Sequence, residues 1–129
     1  MRVLRVGIAS YEEMKARTMA IARGRFKPGA GEPKVWFTSA ESFAKVLSER
    51  NRALLNVIAE TAPASITQLA ELTGRRKSNL SRTLKTMERY GFVTLKKGVR
   101  GSVAPHVPYQ AISLVLPLKG GAKHGVRAA

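Results

Sequence analysis

The 129-residue chain has no cysteine, so it forms no disulfide and offers no thiolate as nucleophile or metal ligand. It has no aspartate either: its acidic residues are eight glutamates, and its histidines are His106 and His124. A metal cage or an acid–base pair needs clustered carboxylate, imidazole or thiolate groups. The glutamates are scattered, mostly in helical registers, so the expectation is a protein that is not an enzyme and carries no cofactor. No apolar run approaches the ~20 residues of a membrane-spanning helix. The opening MRVLRVGIAS breaks its short apolar stretch with Arg5 and reads as a strand, not a secretion signal. A cytoplasmic protein is expected.

What the chain does have is positive charge. Lys and Arg number 23 against eight acidic residues, a net charge of +15. That exceeds what solubility requires and points to an anionic partner: nucleic acid, an anionic membrane or an acidic protein. The apolar content of 44% supports one modest core.

Local signals divide the chain. Residues 2–8 read as a strand. SYEEMKARTMAIARGRF reads as a helix opened by a capping box, Ser10 with Glu13, and carrying a thin apolar stripe of Met14, Thr18 and Ile21. KPGAGEP at 27–33 is the clearest linker, and KVWF at 34–37 is a short β-like run anchored by Trp36 and Phe37. Thr38 with Glu41 marks a second capping box, SERNR a bend or a new helix start, and RALLNVIAET a helix with Leu54, Leu55 and Ile58 inward, stopped at Ala62-Pro63. Ser65 with Gln68 opens ITQLAELT, which ends at Gly74. KSNLSRTLKTMERY follows, closed by Gly91. FVTLKK at 92–97 reads as one strand of a hairpin, GVRGSVAPHVP as its Gly/Pro-rich excursion, and YQAISLVLPL as the returning strand. The final KGGAKHGVRAA at 119–129 has no apolar period and reads as a disordered basic tail.

The stretch 66–87 carries the chemistry. Two helices joined by a turn of three or four residues must cross closely. Ala70, four residues before Gly74, lets the second helix approach, and Gly74 takes a positive φ at no steric cost. Leu80 fills the space between the helices, with Leu69 and Leu84 completing the contact. At ~100° per residue, Leu84 and Met87 share the side of Leu80. Ser78, Arg82, Lys85 and Arg89 lie opposite, flanked by Asn79 and Ser81. Any surface helix opposes charge to grease. Here, however, the charge has one sign, with Glu71 and Glu88 alone against nine Lys and Arg across 65–100. Guanidinium, ammonium, hydroxyl and carboxamide groups read base edges and clamp phosphates. Arg75 and Arg76 in the turn, with Arg89, stand nearer the duplex backbone. Lys96, Lys97 and the tip residue Arg100 give the hairpin a basic end suited to a flanking groove or phosphates; an ordinary edge kept soluble by Lys has the same composition.

The N-terminal segment 1–34, a strand and a helix, is too small to fold alone. It either packs on the rest of the chain or pairs with a second copy, a terminal strand offering an unpaired edge for a two-fold. A homodimer would set two recognition helices ~34 Å apart on a palindrome.

Residues 51–118 resemble the winged helix-turn-helix of MarR-like transcriptional regulators, on the run TQLAELTGRRKSNLSRTLKTMERYGFV. The resemblance implies base or phosphate contacts from Lys77, Ser78, Asn79, Ser81, Arg82 and Lys85, and wing contacts from Lys96, Lys97 and Arg100. Arg76 stands where that family often has a serine cap. VWFTSAESFAKVLSERNRALLNVI and VPYQAISLVLPL give residues 35–118 a narrower likeness to short prokaryotic winged-helix proteins described as DNA-binding regulators or as antitoxins encoded beside a toxin. This implies a small homodimer, with a cognate toxin protein as a partner. The expected architecture is thus mainly α with a small β-hairpin wing. An N-terminal extension (1–34) precedes a winged helix-turn-helix domain (35–118) and the tail. The expected partner is double-stranded DNA, contacted by a recognition helix at 77–90. An antitoxin that autoregulates its operon and a sequence-blind nucleic-acid-binding protein are the alternatives.

Overall fold

The computed structural model describes residues 1–116 and 118; the expected basic tail, 119–129, lies outside them. The described chain is mixed α/β. Its elements run β1 (Val3–Ile8), α1 (Tyr11–Ala22), β2 (Val35–Phe37), α2 (Ala40–Val46), α3 (Glu49–Thr61), α4 (Ile66–Thr73), α5 (Lys77–Arg89), β3 (Thr94–Lys97), β4 (Val103–His106) and β5 (Ala111–Val115). No helix among the described residues is long and apolar enough to cross a membrane.

Two compact units divide these elements. The first holds Met1, Val3–Phe43 and the described residues from Ala111 on; the second holds Arg2 and Ala44–Gln110. The first is built on a three-stranded parallel sheet in the order β2-β1-β5. The register pairs Leu4 with Ile112, Val6 with both Val35 and Leu114, and Ile8 with Phe37, so these apolar side chains share one face. Leu4, Val6 and Phe37 are buried, and the Phe37 ring meets Phe43 edge-on at 5.4 Å. On the other face Gly7 has a specific task. A Cβ there would stand 2.6 Å from the Trp36 ring and 3.0 Å from Pro33, so only glycine lets that ring lie on the strand. The Arg17 guanidinium of α1 sits 5.1 Å from the Trp36 ring and 5.3 Å from Phe26, with Glu32 3.8 Å away.

Three expectations change here. The segments read as the two strands of one hairpin separate: β3 pairs antiparallel with β4, Lys97 facing Val103, while β5 pairs parallel with β1. Pro105 had made the β4 segment read as irregular, yet an edge strand tolerates a residue without an N–H. The parallel pairing of β5 joins residues about a hundred positions apart, which no local pattern encodes. Mainly α with one small hairpin therefore undercounts the strands. β1, expected to offer an unpaired edge, is instead the central strand. The stripe on α1 is also weaker than read, because that helix buries no residue and Ile21 remains 36% exposed.

The caps mostly follow the sequence. Ser10 accepts from the Glu13 N–H while Glu13 accepts from the Ser10 N–H, a complete capping box. The second cap shifts by one position: Ser39, not Thr38, accepts from the Ser42 N–H and opens α2. SERNR is a new start, with Ser48 capping α3 through the Asn51 N–H. Ala62 ends α3 in the left-handed region at φ 45°, and Leu54, Leu55 and Ile58 are buried as expected.

Candidate nucleic-acid interface

Inside the second unit, α4 and α5 form a close pair. Ser65 caps α4 by accepting from the Gln68 N–H, while the Gln68 carboxamide reaches one residue further back and accepts from the Ala64 N–H. Gly74 ends α4 at φ +72°, its N–H donating to the Ala70 carbonyl. Left-handed backbone costs an L-residue roughly 1–2 kcal/mol, which explains the glycine. α5 begins at Lys77, with only Arg75 and Arg76 between. Leu69, Leu80, Leu84 and Met87 are completely buried, so the apolar side of α5 is the side the helical rotation gave. Gly91, at φ +82°, closes α5: its N–H donates to Glu88 and that of Phe92 to Met87, the paired bonds of a Schellman stop.

The buried stripe fixes what the opposite side presents. Ser78, Arg82, Lys85 and Arg89 are exposed, as are Arg76 and Lys77 at the helix start; Ser81 is half-buried at the edge. Arg76 is the N-cap of α5 and its side chain makes no capping bond. The first N–H groups of this helix are therefore not capped by that side chain, and they add partial positive charge beside Arg76 and Lys77.

Arg75 and Asn79 differ from the rest of the expected set. Arg75 folds along α5 and donates from Nε (3.2 Å) and Nη2 (2.8 Å) to Asn79 Oδ1, with Nη2 also 3.4 Å from the Thr83 hydroxyl. Its Nη1 is buried without a hydrogen-bond partner among the described residues. Desolvation by burial, then the nearby positive charge of Arg50, hold its pKa below the usual guanidinium range. Two lone pairs on Asn79 Oδ1 meet two guanidinium hydrogens, so the carboxamide has only its NH2 donors left for another molecule. Reading along the chain missed Thr83 and Arg50 as members of this cluster. The 75/79/83 spacing of four was a usable signal for Thr83, whereas Arg50 comes from α3 and had none.

The hairpin supplies the remaining cations. Lys96 and Lys97 end β3, and both are exposed. Between β3 and β4 a short turn over Val99–Gly101 puts Arg100 at the tip, exposed and at φ 58°. The Gly98 N–H donates to the Ser102 carbonyl at 2.7 Å and the Ser102 hydroxyl donates to the Val99 carbonyl at 2.8 Å, closing the tip. His106 is exposed at the end of β4; among the described residues no three His, Cys, Asp or Glu side chains gather as metal ligands would.

Arg76, Lys77, Arg82, Lys85, Arg89, Lys96, Lys97 and Arg100 thus make eight exposed cations. None is ion-paired or hydrogen-bonded through its side chain among the described residues. Such a surface can neutralise several phosphates at once, and its hydroxyl and carboxamide donors can meet acceptors on base edges. A family model, HVO_A0114, matches residues 46–114. No curated protein and no solved structure matches the chain.

Proposed function

The chain belongs to that family, and we propose that its matched segment is a winged helix-turn-helix through which the protein binds double-stranded DNA sequence-specifically and regulates transcription as a homodimer. The observation that carries this reading is the two-sidedness of α5. Leu80, Leu84 and Met87 are wholly buried, while Arg82, Lys85 and Arg89 stand free on the other side beside a basic hairpin. α5 enters the major groove, where Arg82 and Lys85 reach bases or inner phosphates and Ser78, Asn79 and Ser81 add donors. Arg76, Lys77 and Arg89 lie along the backbone, and Lys96, Lys97 and Arg100 reach the flanking groove or phosphates.

Net charge favours a second reading: +15 on 129 residues also suits a protein that coats nucleic acid without regard to sequence. One experiment separates the two. Random duplexes are selected on the purified protein at two salt concentrations. A two-fold-symmetric winner with half-sites about one helical turn apart supports the regulator. Enrichment of no sequence, with steep salt dependence, supports the coating protein. Against a selected site, Arg82→Ala is expected to lose ~1–3 kcal/mol if that side chain reads a base.

A further inference from the structure

We propose that the outer edge of β5 is the seat of a second copy of this chain, the two β5 strands pairing antiparallel across a two-fold axis into one continuous six-stranded sheet. This rests on the homodimer in the reading above, and needs no DNA. β1 has β2 on one side and β5 on the other, so the sheet's free edges among the described residues are those of β2 and β5. Strands at free edges invite pairing with other chains, and proteins blunt them with lysine, proline or shortness. β2 is three residues long and begins beside Lys34; β3 carries Lys96 and Lys97; β4 contains Pro105. β5 is the longer of the sheet's two free-edge strands and has no lysine or proline within its own span, Pro117 coming only after Leu116. Its run Ala111–Leu116, AISLVL, has no charge and no proline. Leu114 is 37% exposed, and just past the strand Leu116 is 55% and Leu118 84% exposed. Alternate residues of β5 turn their N–H and C=O groups away from β1, a ready ladder for another strand.

The edge fits a second copy better than a different partner. A two-fold brings identical edge strands together antiparallel, so each outward N–H meets an outward C=O, and with the axis at Leu114 that residue meets its own copy while Leu116 meets Ile112. Charge, the main obstacle to joining two chains of +15, is absent along the seam. The nearest cation in the sheet is Arg5 of β1, paired with Ser113 in register. Across the seam two Arg5 positions would be three strand spacings apart, about 14 Å. That is beyond the ~8–10 Å over which exposed charges interact at ordinary salt. An acidic partner would find no cation on β5 to bind.

The test uses the full chain without DNA. Because the parent has no cysteine, single cysteines at Ile112, Ser113, Leu114 and Val115 can be oxidised one at a time, with exposed Ala59→Cys as a control. A two-fold seam concentrates disulfide-linked dimer at one position near the axis, with its neighbours low. Sedimentation should show a dimeric parent, and Leu116→Lys should weaken self-association by about tenfold or more with an unchanged circular-dichroism melt. Leu114→Lys should do the same; since Leu114 is only partly exposed, Leu116→Lys and the cysteine series carry the test if it misfolds. A monomeric parent overturns the proposal, including one that pairs with a heterologous protein. So does a dimer that both lysines leave intact and whose cross-linking is equal at all five positions. A dimer that meets these expectations but selects no duplex would sink the DNA reading and leave the seam standing. Duplex selection by a monomer would do the reverse.

Discussion

The number of free cations on α5 and the hairpin sets a measurable slope. Each phosphate neutralised by a protein cation releases counterions, and log K falls by about 0.9 per decade of salt for each contact on duplex DNA. If all eight exposed cations engage, the slope is about −7, and raising salt from 50 to 200 mM costs roughly four decades of affinity. Replacing Lys97 by Ala should flatten the slope by about 0.9 and weaken every duplex alike. Arg82→Ala should flatten it by a similar step if Arg82 sits on phosphate. If Arg82 reads a base, it should instead leave the slope and erase ~1–3 kcal/mol on the selected site alone. Neither variant should disturb the fold, because neither side chain is paired within the described residues; a stability change within about 0.5 kcal/mol is expected. The assay is fluorescence anisotropy on a selected and a scrambled duplex at four or more salt concentrations, with a thermal melt of each variant. A parent slope shallower than about −3, or two stable variants that bind both duplexes as the parent does, would refute the assignment of this surface.

Three further outcomes follow from the packing. Leu80→Ala empties a wholly buried position between α4 and α5 and should cost about 2–5 kcal/mol in urea unfolding; a cost under 1 kcal/mol would mean that the helix pair is not packed as described. Gly7→Ala pushes a methyl to within 2.6 Å of the Trp36 ring, so tryptophan fluorescence should shift with a loss of about 1–3 kcal/mol, whereas an unshifted spectrum at parental stability would show the ring elsewhere. Arg75→Met releases Asn79 Oδ1 from its two guanidinium bonds and lets the carboxamide pair with both edge atoms of adenine. Duplexes selected on that variant should gain adenine at one position per half-site; an unchanged profile would show that Asn79 does not face a base.

The helix pair was legible residue by residue because its determinants are local. Ser65, Gly74 and Gly91 act within one turn of where they stand, and Leu80, Leu84 and Met87 repeat at helical spacing. From these the buried side of α5 followed, and with it the exposed side bearing Arg82, Lys85 and Arg89. The stop at Ala62 could be placed as well, because caps and stops are written within a few residues, whereas SERNR stayed open between a bend and the new start that Ser48 makes. The Thr38 reading missed by one because Thr38 and Ser39 are both good caps, and the choice between them depends on how the chain leaves β2.

Tertiary structure alone decided the sheet and the nearness of Arg50 to Arg75. Whether AISLV pairs with its neighbour in sequence or with VLRVG near the other end is a contest between strands of similar composition. It is settled by which partner completes an apolar face, and the winner joins Val3 to Ala111 in parallel. Arg75 was counted with the free cations because sequence shows a charge but not its surroundings; its bonds to Asn79 and Thr83 span four and eight residues and were open to a local reading, whereas the nearness of Arg50 exists only once α3 is packed. The sequence by itself determined the short-range caps, the glycine bends and the sign of the charge. Folding determined which distant strand lay beside which and brought the charge of Arg50 to Arg75, because both depend on contacts whose partners lie far apart along the chain.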